Sequence, residues 1–500
     1  MISTTVSILP EPTLEFRYGQ SLADPRHGLS VFGPFDADRR GRPTSVSYGA
    51  VGTAQGLELL QSFIGAIAGP IRGFGQEPSL LWPTYPGFDA AFLCALPREA
   101  TRQQAVDATQ LDRSANLADE SRRVAGVVDL YLEGMDTLTR GDDRIDVIIC
   151  VVPDIIYANC RPRSRVQHAI GPRPSSAERR AREEGQMDLW DEIDPQIYRY
   201  STDFRRQLKA RVMEAGIPIQ ILRESTLRTQ AQAAWGERLL TPLTDRAWNI
   251  SNAIYYKAGG KPWRLNGARE GVCYVGLAYK KRDQSPDNRA AACAAQMFLD
   301  SGDGIVFLGE FGPWYSPERR QCHLAPEAAS RLLTGVLDTY KTLDGGPLRE
   351  VFVHCRSGID AEEFEGFRRA CPPETALVGV RVAPELGARL YREGRYPVAR
   401  GTYWRLTDQT ALLWGSGFKP SIGTYDGSET PRPLSIEVQH GDASIDQVTH
   451  DILALTKLNF NACRLGDSEP VTIGFSGAVG EILVSNPLVA NRRPQFKFYI

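Results

Sequence analysis

The sequence predicts a multidomain α/β protein, and three observations predict it. Of the 500 residues, 42% are hydrophobic and 24% charged, which is ordinary globular usage and excludes a disordered chain, a collagen or a coiled coil. Apolar runs of strand length alternate with helical periodicity, the pattern of βαβ units and parallel sheets. Gly and Pro punctuate the chain near Lys257-Ala-Gly-Gly-Lys-Pro262, and a second α/β series opens beyond them. At ~100–200 residues each, the length allows two to four domains.

In the first series, Gly49-Ala-Val-Gly-Thr-Ala-Gln-Gly56 reads as a tight turn. Asp146–Val152 has the composition of a fully buried strand, and Gly216–Leu222 is a shorter one. A helix is expected between them, from Tyr200 to Ala215. It carries Phe204, Leu208 and Val212 at spacing four, and Arg205 and Lys209 on its polar face. Residues 160–195 shift in composition. A basic, Pro-rich block (Arg161, Arg163, Arg165, Arg173, Arg179, Arg180, Arg182) meets an acidic one (Asp188, Asp191, Glu192, Asp194). A solvated insertion is the plain expectation; a nucleic-acid or partner contact is the alternative.

In the second series, Val272–Tyr279, Ile305–Leu308, Val351–His354 and Leu377–Val382 read as strands. The Ala-rich stretch Asp287–Leu299 reads as a helix. Thr402–Leu406 and Thr410–Trp414 form a hairpin pattern. Ile445–Asn461 reads as a helix opened by the capping signature Ser444-x-x-Gln447. His354, at a strand end, reads as a core histidine.

Lys and Arg number 58 against 60 Asp and Glu, a formal net charge of −2. Proteins that coat nucleic acid non-specifically are strongly basic, so any such role here rests on a local basic pocket. The start has no basic segment before an apolar run, and no signal peptide is expected. LLQSFIGAIAGPI and VIICVVPDII fall short of the roughly 20 apolar residues a membrane helix needs. The nine cysteines are scattered without CxxC spacing and read as reduced thiols. A cytoplasmic protein without membrane contact is expected.

Most catalytic motifs are absent. Gly259-Gly-Lys261 lacks the rest of a phosphate loop, and neither GxSxG nor HxxxH occurs. One constellation survives. Arg205 and Lys209, at i and i+4, share a helix face. Gln220 lies on the next strand, and Lys257 precedes two glycines. Cations give charge-assisted donors to a terminal phosphate, and an amide oxygen can face a metal.

These residues sit inside a wider pattern. Phe204-x4-Lys209, Gly216-Ile-Pro-Ile-Gln220-Ile-Leu-Arg-Glu-Ser-Thr226 and Tyr256-Lys-Ala-Gly-Gly-Lys-Pro-Trp263 resemble the MID domain of Argonaute proteins. Val272-Cys-Tyr-Val-Gly-Leu-Ala278 resembles the first strand of a PIWI domain. Asp451–Asn461 and Glu469–Ile473 resemble its last helix and the strand beyond. With Asp24–Leu29 and Phe32-Gly-Pro34, the resemblance is to the short prokaryotic subgroup, which has MID and PIWI alone. It implies a Rossmann-like MID domain at 1–265, with the charged insertion 160–195, followed by an RNase H-like PIWI domain at 266–500.

The resemblance also implies function. Lys209, Gln220 and Lys257 fall on the basic and amide positions that hold a guide's 5′-phosphate. Arg205 replaces an aromatic that stacks on the first guide base, and a guanidinium plane also stacks. Gln220 and the C-terminal carboxylate of Ile500 would hold Mg²⁺ with that phosphate. The carboxylates that hold catalytic metals fall on Ala278, Ser357 and Gly477, with no Asp or Glu at or beside them in sequence, so no cleavage is expected. The implied protein is the guide-binding subunit of a prokaryotic immune complex. It would take a guide RNA and a complementary single-stranded DNA target, and it would activate an APAZ-containing effector. A TIR NADase is favoured over a sirtuin-like NADase or a nuclease. Two alternatives stand: a metal-dependent nuclease using Glu310, Asp360 or Asp467, and a vestigial scaffold.

Overall fold

The computed structural model describes residues 6–73, 80–162, 164, 166–186, 194–230, 241–267, 269–281, 291–298, 304–342, 347–427, 429–485 and 493–500. Its first strand, β1 (Val6–Ile8), crosses at once to the second half of the molecule. The first half is built on β2 (Tyr48–Gly52), β3 (Arg102–Ala105), β4 (Val147–Val152) and β5 (Ile219–Arg223). All pairings are parallel, in the order β3-β2-β4-β5. The central strand β4 is buried along its whole length, as its unbroken Val/Ile composition requires.

Five helices matter here: α1 (Ala54–Ile67), α2 (Glu120–Thr139), α3 (Ser176–Glu183), α4 (Phe204–Val212) and α5 (Leu243–Lys257). Asp203 starts α4 by accepting the Arg206 amide at 3.0 Å. Phe204, Leu208 and Val212 then bury against Ile148, Cys150 and Ile219 of the sheet. Gly216, at φ 70°, turns the chain into β5.

The second half is one nine-stranded sheet. It comprises β6 (Val272–Lys281), β7 (Ala291–Phe298), β8 (Gly304–Gly312), β9 (Glu350–Cys355), β10 (Ala376–Pro384), β11 (Thr402–Arg405), β12 (Thr410–Leu413) and β13 (Leu434–His440). With β1 the order is β1-β11-β12-β13-β10-β9-β6-β7-β8. β6, β9 and β10 run parallel, and the other neighbours are antiparallel. Helices α6 (Pro326–Thr342) and α7 (Ala361–Ala370) cover the face that carries Val275, Leu277 and Val353. Helix α8 (Ile445–Leu455) and the pair α9 (Val471–Gly474) and α10 (Ser476–Ser485) lie on the other. That second face shares one continuous core with Trp248, Tyr255 and Trp263 of the first half. The expected α/β architecture is present along the whole chain.

Several local expectations are corrected. The Ala-rich stretch is not a helix: residues 291–298 form β7, hydrogen-bonded to β6 on one side and β8 on the other. Two ready-made ladder partners outweigh alanine's helical preference; residues 287–290 and 299 lie outside the described residues. The helix from Ile445 stops at Leu455, and the Ser444 side chain makes no cap bond. Beyond it the main chain is claimed by tertiary contacts, such as Trp263 Nε1 donating to Lys457 O at 3.0 Å. Residues 49–56 are no tight turn but the end of β2, the cap Thr53 and the start of α1. The strand expected at 469–473 is instead the short helix α9. Within the charged stretch, α3 is an exposed helix opened by a Ser175/Glu178 capping box; Arg163, Arg165, Asp188, Asp191 and Glu192 lie outside the described residues. No helix among the described residues is long and apolar enough to cross a membrane, and no disulfide joins two cysteines among them.

Candidate functional site

The surviving constellation assembles. Lys209 projects from α4, Gln220 from β5 and Lys257 from the last turn of α5. Lys209 and Lys257 are 2% and 1% exposed. The ammonium of Lys257 donates to Gln220 Oε1. That of Lys209 donates to the main-chain oxygens of Tyr499, at 3.3 Å, and of Ile500. The final segment tucks inward, with Phe496, Phe498, Tyr499 and Ile500 all buried. Gly259, at φ 101°, lets the chain leave α5 immediately after the pocket, and a Cβ on Gly260 would lie 2.3 Å from the Tyr255 ring. This glycine pair therefore ends a helix.

Among the described residues no acidic side chain pairs with either lysine. Burial holds the Lys209 pKa well below the usual lysine value, and the charges of Lys257 and Arg205 push the same way. Burial, then Arg205, brings Lys257 down to about 7. Arg205 itself stands exposed at the rim. It has no hydrogen-bond or ion-pair partner among the described residues, and lost solvation lowers its pKa. Sequence reasoning missed Lys497, whose ammonium donates to Lys257 O at 3.4 Å. The alternation Phe496-Lys-Phe498 was its only signal. Among the described residues, only the terminal carboxylate of Ile500 brings negative charge to these two buried ammonium groups, a poor end state for a protein interior and a good receptor for a compact anion.

A second corner lies where β6 and β9 end against α9 and α10. Ala278 is buried on β6. The three positions implied by the resemblance do not meet at one point: Gly480, not Gly477, faces Ala278, its Cβ position lying 3.9 Å from Ala278 Cβ. Ser357 turns the other way, its Oγ 3.1 Å from Cys355 Sγ and 3.3 Å from Cys322 O. Gly276 lets α9 approach closely, since a Cβ there would lie 2.1 Å from Thr472 O. Burial lowers His354 to about 3, and Thr472 Oγ1 lies 3.0 Å from its Nδ1; it is a core residue.

Carboxylates do reach this corner in space, which sequence adjacency concealed. Glu469 pairs with Arg356 at 2.5 Å. Glu481 pairs with Lys280 at 3.1 Å and with Arg206 at 2.7 Å. Each is neutralised by a cation. Of the carboxylates named from the sequence, Asp360 lies elsewhere. Asp360 caps α7 and, with Glu363, faces His323 across the sheet. Asp467 is nearer: it lines one cavity with Glu469, Val471 and Gly474, and it accepts from Asn459 at 2.7 Å. The Glu310 side chain is outside the described residues.

These features can be set against known proteins. No protein-family model matches the chain. Protein argonaute of Thermus thermophilus is 28% identical over 302 residues, which is 58% of this chain and 38% of that protein. Among solved structures, Clostridium butyricum Argonaute bound to a guide DNA (5′ deoxycytidine) and a 19-mer target DNA superposes with a TM-score of 0.64, at 14% identity, over 99% of this chain and 55% of that one. The fold is an Argonaute fold. Aa-Ago with externally bound siRNA gives 0.57 at 11% identity over 100% and 56% of the two chains, and A. aeolicus Argonaute gives 0.56 at 12% over 99% and 56%. The chain therefore spans a little over half the length of these structures and less of the curated relative.

Proposed function

We propose that this chain is a guide-binding protein of the short prokaryotic Argonaute kind. It takes a 5′-phosphorylated guide, RNA by preference, and pairs it with a complementary single-stranded DNA. The observation that carries the proposal is the pair of buried lysines without an acidic side-chain partner among the described residues, with only the Ile500 carboxylate beside them. A phosphate dianion supplies the missing charge and would take over the donors that Gln220, Tyr499 and Ile500 now accept. Arg205, at the rim, would stack on the first base. The Gln220 and Ile500 oxygens suit a hard cation. With two ammonium groups beside it, Mg²⁺ would enter only together with the phosphate. The Clostridium butyricum protein is bound to a guide DNA, which keeps a DNA guide as the second reading.

The proposed PIWI half does not cut. Two-metal cleavage needs free carboxylates aimed at one point. Here Ala278 offers no ligand, and Glu469 and Glu481 are already paired with cations. The consequence of target pairing would then fall to a separate APAZ-containing effector, with a TIR NADase favoured over a sirtuin-like NADase or a nuclease. Guide-loaded protein should retain complementary DNA, release scrambled DNA and leave the target whole in Mn²⁺. Cuts at a fixed distance from the guide's end would establish the nuclease reading. Indifference to complementarity would leave only a scaffold. The chain alone should hydrolyse no NAD.

A further inference from the structure

The helix that carries the phosphate pocket is tied to the second corner by a charged bridge. Arg205 and Lys209 belong to α4, and so does Arg206. Arg206 Nη2 lies 2.7 Å from Glu481 Oε2 on α10. The other oxygen of the same carboxylate, Oε1, lies 3.1 Å from Lys280 Nζ on β6. Lys280 is two residues beyond Ala278 and on its face of the sheet; the Gly480 Cβ position lies 3.4 Å from Lys280 Cβ. A second tie runs parallel: Ser201 N, just ahead of α4, donates to Ser485 O at 3.1 Å at the end of α10. The three charged side chains are each about one-third exposed or less, so solvent screens the bridge only in part.

We propose that Glu481 is a positioning residue that carries the state of the phosphate pocket to the corner of the nine-stranded sheet. The inference rests on the guide-binding reading above. A phosphate that engages Arg205 and Lys209 fixes α4 as a rigid body. Arg206 moves with its helix, Glu481 follows Arg206, and Lys280 follows Glu481. Removing the carboxylate does more than cut the link, because it leaves two cations facing each other. Coupling of this kind is reciprocal: a target paired at the corner tightens the grip on the guide's phosphate, as the phosphate orders the corner.

The test is amide hydrogen exchange on the full chain, loaded with an RNA of about 20 nucleotides that bears a 5′-phosphate or a 5′-hydroxyl. In the wild type the phosphate should slow exchange at residues 276–281 by about fivefold or more, the low end of ordinary coupling. Glu481→Gln should keep the preference for phosphorylated guide but lose that slowing. Glu481→Asp, which retains both oxygens, should restore part of it. Arg206→Gln should reproduce the loss, and it keeps the test alive if the Glu481 variant folds poorly. Equal slowing in wild type and Glu481→Gln overturns the relay and leaves the pocket standing. So does phosphate preference with no slowing at 276–281 in the wild type. No phosphate preference in the wild type overturns the pocket and the relay together.

Discussion

The molecule buries lysines at two places and treats them differently. Lys457, just past α8, is 2% exposed. Its ammonium lies 2.8 Å from Glu11 and donates to Ala23 O at 2.8 Å. Arg400 holds the other Glu11 oxygen at 2.9 Å. Burial pulls the Glu11 pKa up, but Arg400 and Lys457 outweigh it and keep the carboxyl lowered. This is a completed ion network that pins the N-terminal segment to the second half. Lys209 and Lys257 are buried as deeply, yet among the described residues no acidic side chain answers them. The first site is finished and structural. The second has only the Ile500 carboxylate beside it among the described residues, and the proposed guide phosphate would supply the remaining negative charge.

The difference gives predictions of opposite sign. The largest effect is expected at the finished site. Glu11→Gln leaves Lys457 and Arg400 without their counter-ion, and removing one partner of a buried pair costs about 3 kcal/mol. Denaturant unfolding should show that loss, with the guide's phosphate preference unchanged; an unaltered midpoint would mean that the network contributes little. At the incomplete site, Lys209→Met with Lys257→Met should reduce the affinity for phosphorylated guide at least tenfold, which is ~1.4 kcal/mol. The same double variant should unfold at a higher denaturant midpoint, because uncompensated charge has left the interior. A fall like that of Glu11→Gln would make these lysines structural after all.

A smaller effect sharpens the same contrast. The Lys257 pKa is about 7 in the folded protein against an ordinary 10.5. Between those values the unfolded chain holds the proton more often than the folded one, so stability rises with pH across that window. The ligand-free protein should therefore gain stability from about pH 7 upward, and Lys257→Met should flatten that slope. A slope that survives the substitution would assign it to other groups.

How far the sequence foretold this varies with distance along the chain. Lys209 and Gln220 were legible because a helix face and the next strand place them by local rules. Lys257 was legible through the glycines that end its helix. The strand at 291–298 was not, because alanines carry no β preference and only β6 and β8 on either side make them a strand. Helix α8 ends early for a similar reason. Lys457 is drawn inward by Glu11, some four hundred residues away, and no local pattern records that. The corner was the least legible. Glu469 and Glu481 approach it only once α9 and α10 fold against β6, and a search for neighbours in sequence passes over them.

The most direct measurement compares binding of a 5′-phosphorylated RNA of about 20 nucleotides with its 5′-hydroxyl twin, each in Mg²⁺ and in EDTA. A pocket of buried, unanswered lysines predicts at least a tenfold preference for the phosphate, largest with Mg²⁺ present and lost in the Lys209→Met, Lys257→Met variant. Equal binding of the two RNAs would contradict it and leave the lysines without the anion they were assigned.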